Sequence, residues 1–184
     1  MSRTSLRWGI LSTGNIAGQF ATDLKHSLHG VLQGVASRDP QAATSFCEQH
    51  GGTPSETYLA LLQRDDIDAV YIATPHDSHA HWSHLALANS KAVLCEKPLG
   101  INQGQTLSLY GAAEENNVLL VEALMYLMHP RMHKARALIE TGAIGNVTGF
   151  SSSFGFAFPF TPDHRLYNRD LAGGAILDIG IYPF

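Results

Sequence analysis

Residues 6–28 read LRWGILSTGNIAGQFATDLKHSL. LRWGILS (6–12) is a short apolar run of the kind that fills a buried parallel strand. It passes directly into a segment where Ile16, Phe20, Leu24 and Leu28 recur at every fourth position, which predicts a helix with one buried stripe. The joint between them, Ser12-Thr13-Gly14-Asn15-Ile16-Ala17, matches GxGxxA with serine at the first glycine position. Gly14 lets the backbone approach a pyrophosphate, Ala17 lets helix and strand pack closely, and the anion rests on the helix N-terminus. Ser12 asks for a turn that tolerates a side chain, and its hydroxyl can bond a phosphate.

The rest of the chain repeats this unit. VLQGVAS (31–37) is a second strand, followed by Asp39 as a cap with Pro40 at the first helical position, and Gly51 and Gly52 end that helix. A short helix at 58–63, the strand DAVYIAT (68–74), a helix at 78–90, the strand AVLCE (92–96), a helix opened by Asn102 and running to about 117, and the strand VLLVEAL (118–124) follow. Alternation of this kind predicts an α/β fold with a doubly wound parallel sheet, covered on both faces by helices, and right-handed crossovers. After Pro130 the character changes. RMHKARALIETG is an amphipathic helix closed by Gly142, NVTGFSSSFGFAF (146–158) alternates like an exposed antiparallel strand, and AGGAILDIGIYPF (172–184) reads as the start of a helix. One strand and one helix start cannot form a core. The expected division is therefore a complete domain over 1–125 and the opening of a second over 126–184, in a chain cut short.

The 184 residues are 45% hydrophobic and 15% charged, an ordinary globular composition. A formal charge of -4 gives no footprint for nucleic acid or anionic membranes. No apolar run is long enough to cross a bilayer, and the polar start is no signal peptide. Cys47 and Cys95 stand alone in no metal-binding or redox spacing, the pattern of reduced thiols in a cytoplasmic protein.

The strand ends carry the chemistry. The second strand ends in Ser37-Arg38 where NAD-binding units place an acid for the ribose hydroxyls, and Asp39 is displaced into the cap. A hydroxyl and a guanidinium suit the 2′-phosphate of NADP rather than NAD; the plainer alternative makes Arg38 a solvated turn residue. Thr74, Pro75, His76 and His79 follow the third strong strand, where a nicotinamide would lie. The histidines His76, His79, His81 and His84 invite a metal, but zinc wants three or four converging ligands with an acid or thiol nearby; the strand-end position favours a cofactor-side role for His79 and no metal. Glu96-Lys97-Pro98 ends the 92–96 strand with an acid, a base and a rigid turn. Lysine between an acid and a proline at a strand end reads as fixed rather than solvated.

The segments RWGILSTGNIA, ATPHDSH, VLCEKPLG, EALMYLMHP, GAIGNV and AGGAILDIGIYP together resemble the glucose–fructose oxidoreductase / inositol dehydrogenase (Gfo/Idh/MocA) family. Within it the chain is most similar to the branch of dimeric dihydrodiol dehydrogenases and NADP-linked xylose dehydrogenases. The resemblance implies a Rossmann domain followed by an α/β domain with an open, mostly antiparallel sheet that also forms a homodimer in a full-length protein. It implies a cis bond before Pro98, and Asp178 and Tyr182 beside Lys97. Relatives commonly carry arginine where this chain has Leu127, a departure from the family's pattern.

The chemistry so implied is removal of a proton as hydride leaves the same carbon of a sugar, polyol or cyclic trans-diol. Asp178 and Tyr182, at i and i+4, are expected on one helix face. An ammonium beside a phenol favours phenolate, which makes Tyr182 the general acid/base, Lys97 the group on the substrate oxygen, and Asp178 a partner for a second hydroxyl or for Lys97. The expected cofactor contacts are Ser12, Thr13, Gly14, Asn15, Ile16, Ser37, Arg38, Thr74, Pro75, His76, His79, Glu96 and Lys97. Gly173 and Gly174 permit close backbone approach ahead of the last helix, and His164, Arg165 and Tyr167 precede it. The rival reading is a non-catalytic NADP-binding or interaction fragment without a complete substrate domain.

Overall fold

The computed structural model describes residues 5–183, which fall into two compact units, Met1–Glu122 and Ala123–Phe184. In the first, β1 (Leu6–Leu11), β2 (Gly30–Ala36), β3 (Thr53–Ser55), β4 (Ala69–Ile72), β5 (Ala92–Cys95) and β6 (Leu120–Glu122) form one sheet. Its order is β3-β2-β1-β4-β5-β6 and every pairing is parallel. The crossovers carry α1 (Asn15–Leu24), α2 (Pro40–His50), α3 (Tyr58–Leu62), α4 (His79–Ala88) and α5 (Gln103–Glu115). The chain winds outward from β1 to β3, then returns to lay β4 on the other side of β1. This is the doubly wound arrangement the sequence predicts, and it leaves a crevice at the strand C-termini between β1 and β4.

Local chemistry sets the helix ends. Asp39 Oδ1 accepts the Gln41 N–H at 2.9 Å with Pro40 leading α2. Thr57 Oγ1 accepts from Ala60 N at 3.0 Å to start α3, and Asn102 Oδ1 from Gln105 N at 3.0 Å to start α5. Each such cap stabilises by about 1 kcal/mol. The core lies where Leu11, Val70, Ile72, Val93 and Cys95 of the strands meet Leu61, Leu62, Leu87 and Leu109 of the helices. Each fully buried aliphatic side chain contributes about 1.5–3 kcal/mol.

Gly9 marks the tightest approach. The β1–β2 register shifts between Trp8 and Gly9, and a Cβ on Gly9 would stand 2.7 Å from Leu61 Cδ2 and 3.3 Å from Val70 Cγ1. Leu61 is fully buried and cannot swing away. Gly9→Ala is expected to cost about 1–3 kcal/mol by overpacking, read as a lower urea midpoint with an unchanged slope; an unchanged midpoint refutes it.

Two expectations need correction, and one strand had no sequence signal. Of the predicted stripe, Ile16, Phe20 and Leu24 are half-buried on α1, with Phe20 against Trp8 and Tyr71, while Leu28 lies beyond the helix and is 87% exposed; the fully buried positions of α1 are Ala17 and Ala21. β3 has no strand signal of its own, since it is three residues including Pro54. It forms because β2 offers an open edge from Gly34 to Ala36. Residues 147–160 form no strand. A ladder needs a partner, and no other strand exists among the described residues of the second unit, so Phe150, Phe154, Phe156, Phe158 and Phe160 stand exposed. The antiparallel pairing expected there is absent among the described residues.

The second unit contains α6 (Pro130–Glu140), opened by Pro130 and followed by Gly142 at φ +70, and α7 (Ala175–Ile179). No helix among the described residues is long and apolar enough to cross a membrane.

Candidate functional site

The C-terminal edge of the sheet gathers residues that are far apart in sequence. Ser12 leaves β1 at φ +99 while its N–H donates to Ala36 O at 2.9 Å. A non-glycine residue in this conformation costs about 1–3 kcal/mol, partly offset here because Ser12 Oγ accepts the Gly14 N–H at 3.3 Å. Gly14 is the residue before α1, and no side chain caps that helix. Its first N–H groups are therefore donors for an anion. A Cβ on Gly14 would meet only Ser12 Oγ, at 3.7 Å. The protein's own packing does not require glycine there, and the space suits a close ligand. Asn15 and Ile16 open α1, and Ala17 is fully buried against the sheet.

Ser37 and Arg38 follow β2. Ser37 Oγ lies 3.2 Å from Thr13 Oγ1 and accepts the Asp39 N–H at 3.3 Å, so the two turns are cross-linked before any ligand arrives. Arg38 is exposed. Its positive charge opposes the upward push that burial gives the Tyr58 phenol. Asp39 is committed to capping α2.

After β4 come Thr74 and His76, both buried, with Pro75 half-buried between them. Ser78 Oγ stands 2.9 Å from Thr74 Oγ1 and 2.8 Å from Pro75 O. The chain makes a 3-10 turn over His76–Ser78 before α4 begins at His79. His79 is 1% exposed, and both its ring nitrogens face backbone oxygens. His84 Nε2 lies 3.2 Å from Ser108 Oγ, and His81 is exposed beside Trp82. Among the described residues no three His, Cys, Asp or Glu side chains are arranged to hold a metal.

Beyond β5, Glu96 Oε1 accepts the Tyr71 O–H at 2.5 Å, and Glu96 Oε2 accepts the Lys97 N–H at 3.3 Å. Burial first, then the charge of Glu96, push the Tyr71 phenol well above its ordinary range. Tyr71 therefore stays a proton donor to Glu96, and Phe20 stacks on its ring at 4.1 Å. The Lys97–Pro98 peptide is cis. Leu99 N–H donates to Glu122 Oε1 at 2.8 Å, tying the loop to β6. The neighbouring Cys95 thiol is pushed up to about 12 by burial, so it takes no part as a nucleophile. Tyr71 and Glu122 carry no motif; only the adjacency of β4, β5 and β6 reveals them.

In the second unit Asp178 is buried, and its Oδ1 pairs with Arg165 Nη1 at 3.1 Å. Gly173 is required where it stands, because a Cβ would fall 2.5 Å from Arg165 O. α7 ends at Ile179, and Tyr182 lies in the turn beyond it, its N–H bonded to Ile179 O at 3.1 Å. Asp178 and Tyr182 are therefore not on one continuous helical face as the i, i+4 spacing suggests. The last turn tightens to i−3 bonding, as helix ends commonly do. The Tyr182 ring packs against Phe154 at 5.0 Å and Tyr126 at 5.8 Å. His164 packs on Phe158 at 4.6 Å, and Tyr167 O–H donates to Phe158 O at 2.8 Å.

A family profile described as an oxidoreductase family with an NAD-binding Rossmann fold matches residues 6–124. A second, the GFO/IDH/MocA C-terminal domain, matches residues 132–184. A dTDP-3,4-didehydro-2,6-dideoxy-alpha-D-glucose 3-reductase from Actinomadura kijaniata is 39% identical over 180 residues, which are 97% of this chain and 54% of that protein. A trans-1,2-dihydrobenzene-1,2-diol dehydrogenase from Mus musculus is 36% identical over 182 residues, 97% of this chain and 54% of that one. The crystal structure of a 3-ketoreductase from Actinomadura kijaniata in complex with NADP and TDP-benzene superposes with a TM-score of 0.90 at 38% identity, covering 98% of this chain and 55% of that one. The chain spans about half the length of the curated relatives it matches. With a doubly wound sheet, an anion-ready turn after β1 and both family profiles in sequence, the chain belongs to the Gfo/Idh/MocA oxidoreductase family.

Proposed function

We propose that the chain carries the cofactor-binding half of an NADP-dependent oxidoreductase that interconverts an alcohol and a carbonyl on a sugar, polyol or cyclic trans-diol. The observation that carries this is the meeting of Ser12–Gly14, Thr13–Ser37 and exposed Arg38 at one edge of a parallel sheet. The residues fit a dinucleotide: α1 is uncapped, Gly14 leaves open space, and a guanidinium stands where an acid would otherwise hold ribose hydroxyls. NADP-linked relatives, among them a D-xylose 1-dehydrogenase from Haloferax volcanii, support the same cofactor. Asn15 and Ile16 offer the α1 backbone to the anion, and Thr74, Pro75 and His76 form the rim after β4.

When bound, the nicotinamide supplies a hydride acceptor or donor. The chain's own residues manage the proton. Lys97 holds the substrate oxygen with its ammonium, Tyr182 gives or takes the proton at its Oη, and Asp178 orients a second substrate hydroxyl. Glu96, bonded to Tyr71, keeps the Lys97 backbone in place. Residues 1–125 are taken as the dinucleotide domain and 126–184 as the beginning of the substrate-binding domain. The change of compact unit after Glu122 and the profile boundaries support this division. A homodimer and a cytoplasmic location are part of the same proposal, the latter supported by two unpaired, buried cysteines.

Fluorescence titration with NADPH and NADH tests the reading. NADPH is expected to bind more tightly, and Arg38→Ala to lower its affinity roughly tenfold to a hundredfold with NADH unaffected, as loss of a charged hydrogen bond predicts. Equal affinities in the unmodified chain overturn the NADP assignment. Cofactor binding without turnover of any sugar or diol favours the non-catalytic reading.

A further inference from the structure

His79 is almost fully buried at this edge, and its ring lies between two segments the fold must hold in register. Nδ1 is 2.7 Å from Pro98 O, and Nε2 is 2.8 Å from Thr74 O. Thr74 lies just after β4 and Pro98 follows Lys97 after β5, so one imidazole bridges the loops that leave two neighbouring strands. Carbonyl oxygens only accept. A ring with one N–H satisfies one of them and turns a lone pair on the other; a ring with N–H on both nitrogens satisfies both. Neither nitrogen is left to reach a ligand, which sets aside direct hydrogen bonding of His79 to the cofactor.

We propose that His79 is a positioning residue for Lys97, its imidazole bridging Thr74 O and Pro98 O. Two further tethers of the loop work beside it: Tyr71 on Glu96, and Glu122 on the Leu99 N–H. Those two fix the residues on either side, and His79 fixes the carbonyl immediately after the lysine. Burial at 1% exposure shields the bridge from competing water. The consequence for the reaction rests on the oxidoreductase reading above: with the bridge intact, Lys97 meets the substrate oxygen in one orientation, and misplacement of a reacting group by about 1 Å costs on the order of a hundredfold in rate.

Long-range 15N NMR on the purified chain tests the bridge without turnover. A His79 ring proton is expected to exchange slowly with solvent and to show a hydrogen bond to a backbone carbonyl; a ring whose protons all exchange rapidly overturns the proposal. His79→Gln keeps similar bulk, and it is expected to leave NADPH affinity within about twofold while kcat falls roughly tenfold to a hundredfold. Added to Lys97→Met, it is expected to cause no further loss, because its effect runs through that lysine. A tenfold loss of NADPH affinity, or full additivity with Lys97→Met, overturns the assignment. Should His79→Gln fail to fold, the NMR result on the unmodified chain still decides. Should no sugar or diol be turned over, the function proposed above falls, and the NMR and NADPH measurements still judge the bridge.

Discussion

Lys97→Met is expected to lower kcat by about a hundredfold to ten-thousandfold while NADPH binding stays within about twofold. The lysine sits in a loop held by Tyr71 through Glu96 and by Glu122 through Leu99, and an unbranched side chain of similar length leaves those two contacts in place. What is lost is an ammonium whose interaction with the substrate oxygen strengthens as charge develops there. Only such differential stabilisation accelerates the chemical step. Positioned acid–base groups contribute factors of about a hundred to ten thousand. Steady-state rates at saturating cofactor and substrate make the check, and unimpaired turnover removes Lys97 from the mechanism.

Tyr182→Phe deletes one oxygen and keeps the ring that packs on Phe154 and Tyr126. Thermal stability is therefore expected to change by no more than a few degrees, while kcat falls by about a hundredfold or more as the proton loses its donor and acceptor. The loss should be largest where proton transfer limits the rate, so a solvent isotope effect measured alongside kcat separates it from a folding defect. A variant with normal kcat excludes the hydroxyl as the acid/base group.

Much of the first unit was legible because its signals are local. Apolar runs such as AVYI and AVLC can be buried only as central strands, and Asp39-Pro40 and Asn102 announce helix starts by chemistry that needs no tertiary partner. The turn between β1 and α1 was legible for the same reason. What escaped depends on neighbours brought together by the fold. β3 is a strand only because β2 lies beside it. Tyr71 reads as an ordinary strand residue until β5 places Glu96 within reach of its hydroxyl. His79 is one of four histidines in a short tract, and only burial and its two carbonyl partners set it apart from exposed His81. In the second unit, alternation over 146–158 misled because periodicity reports which face a strand would bury, not whether another strand exists to pair with it. The Arg165–Asp178 pair was out of reach for a different reason: it depends on the turn at Gly173 that folds the chain back.

The two edges of the sheet are built to opposite ends. At the N-terminal edge Arg7 grips Asp68 with its guanidinium and its backbone N–H, Arg64 grips Asp66, and the buried Lys91 ammonium donates to the carbonyls of Arg64 and Ile67. These groups staple the starts of β1, β4 and β5 and touch none of the residues assigned to the cofactor. The cofactor residues proposed from the first unit, and Lys97, all hang from the other edge. Inheritance can therefore act on the two separately. Changes along the stapled edge alter how long a molecule survives, and changes along the opposite edge alter what it recognises, so a new specificity can be tried without first rebuilding the scaffold.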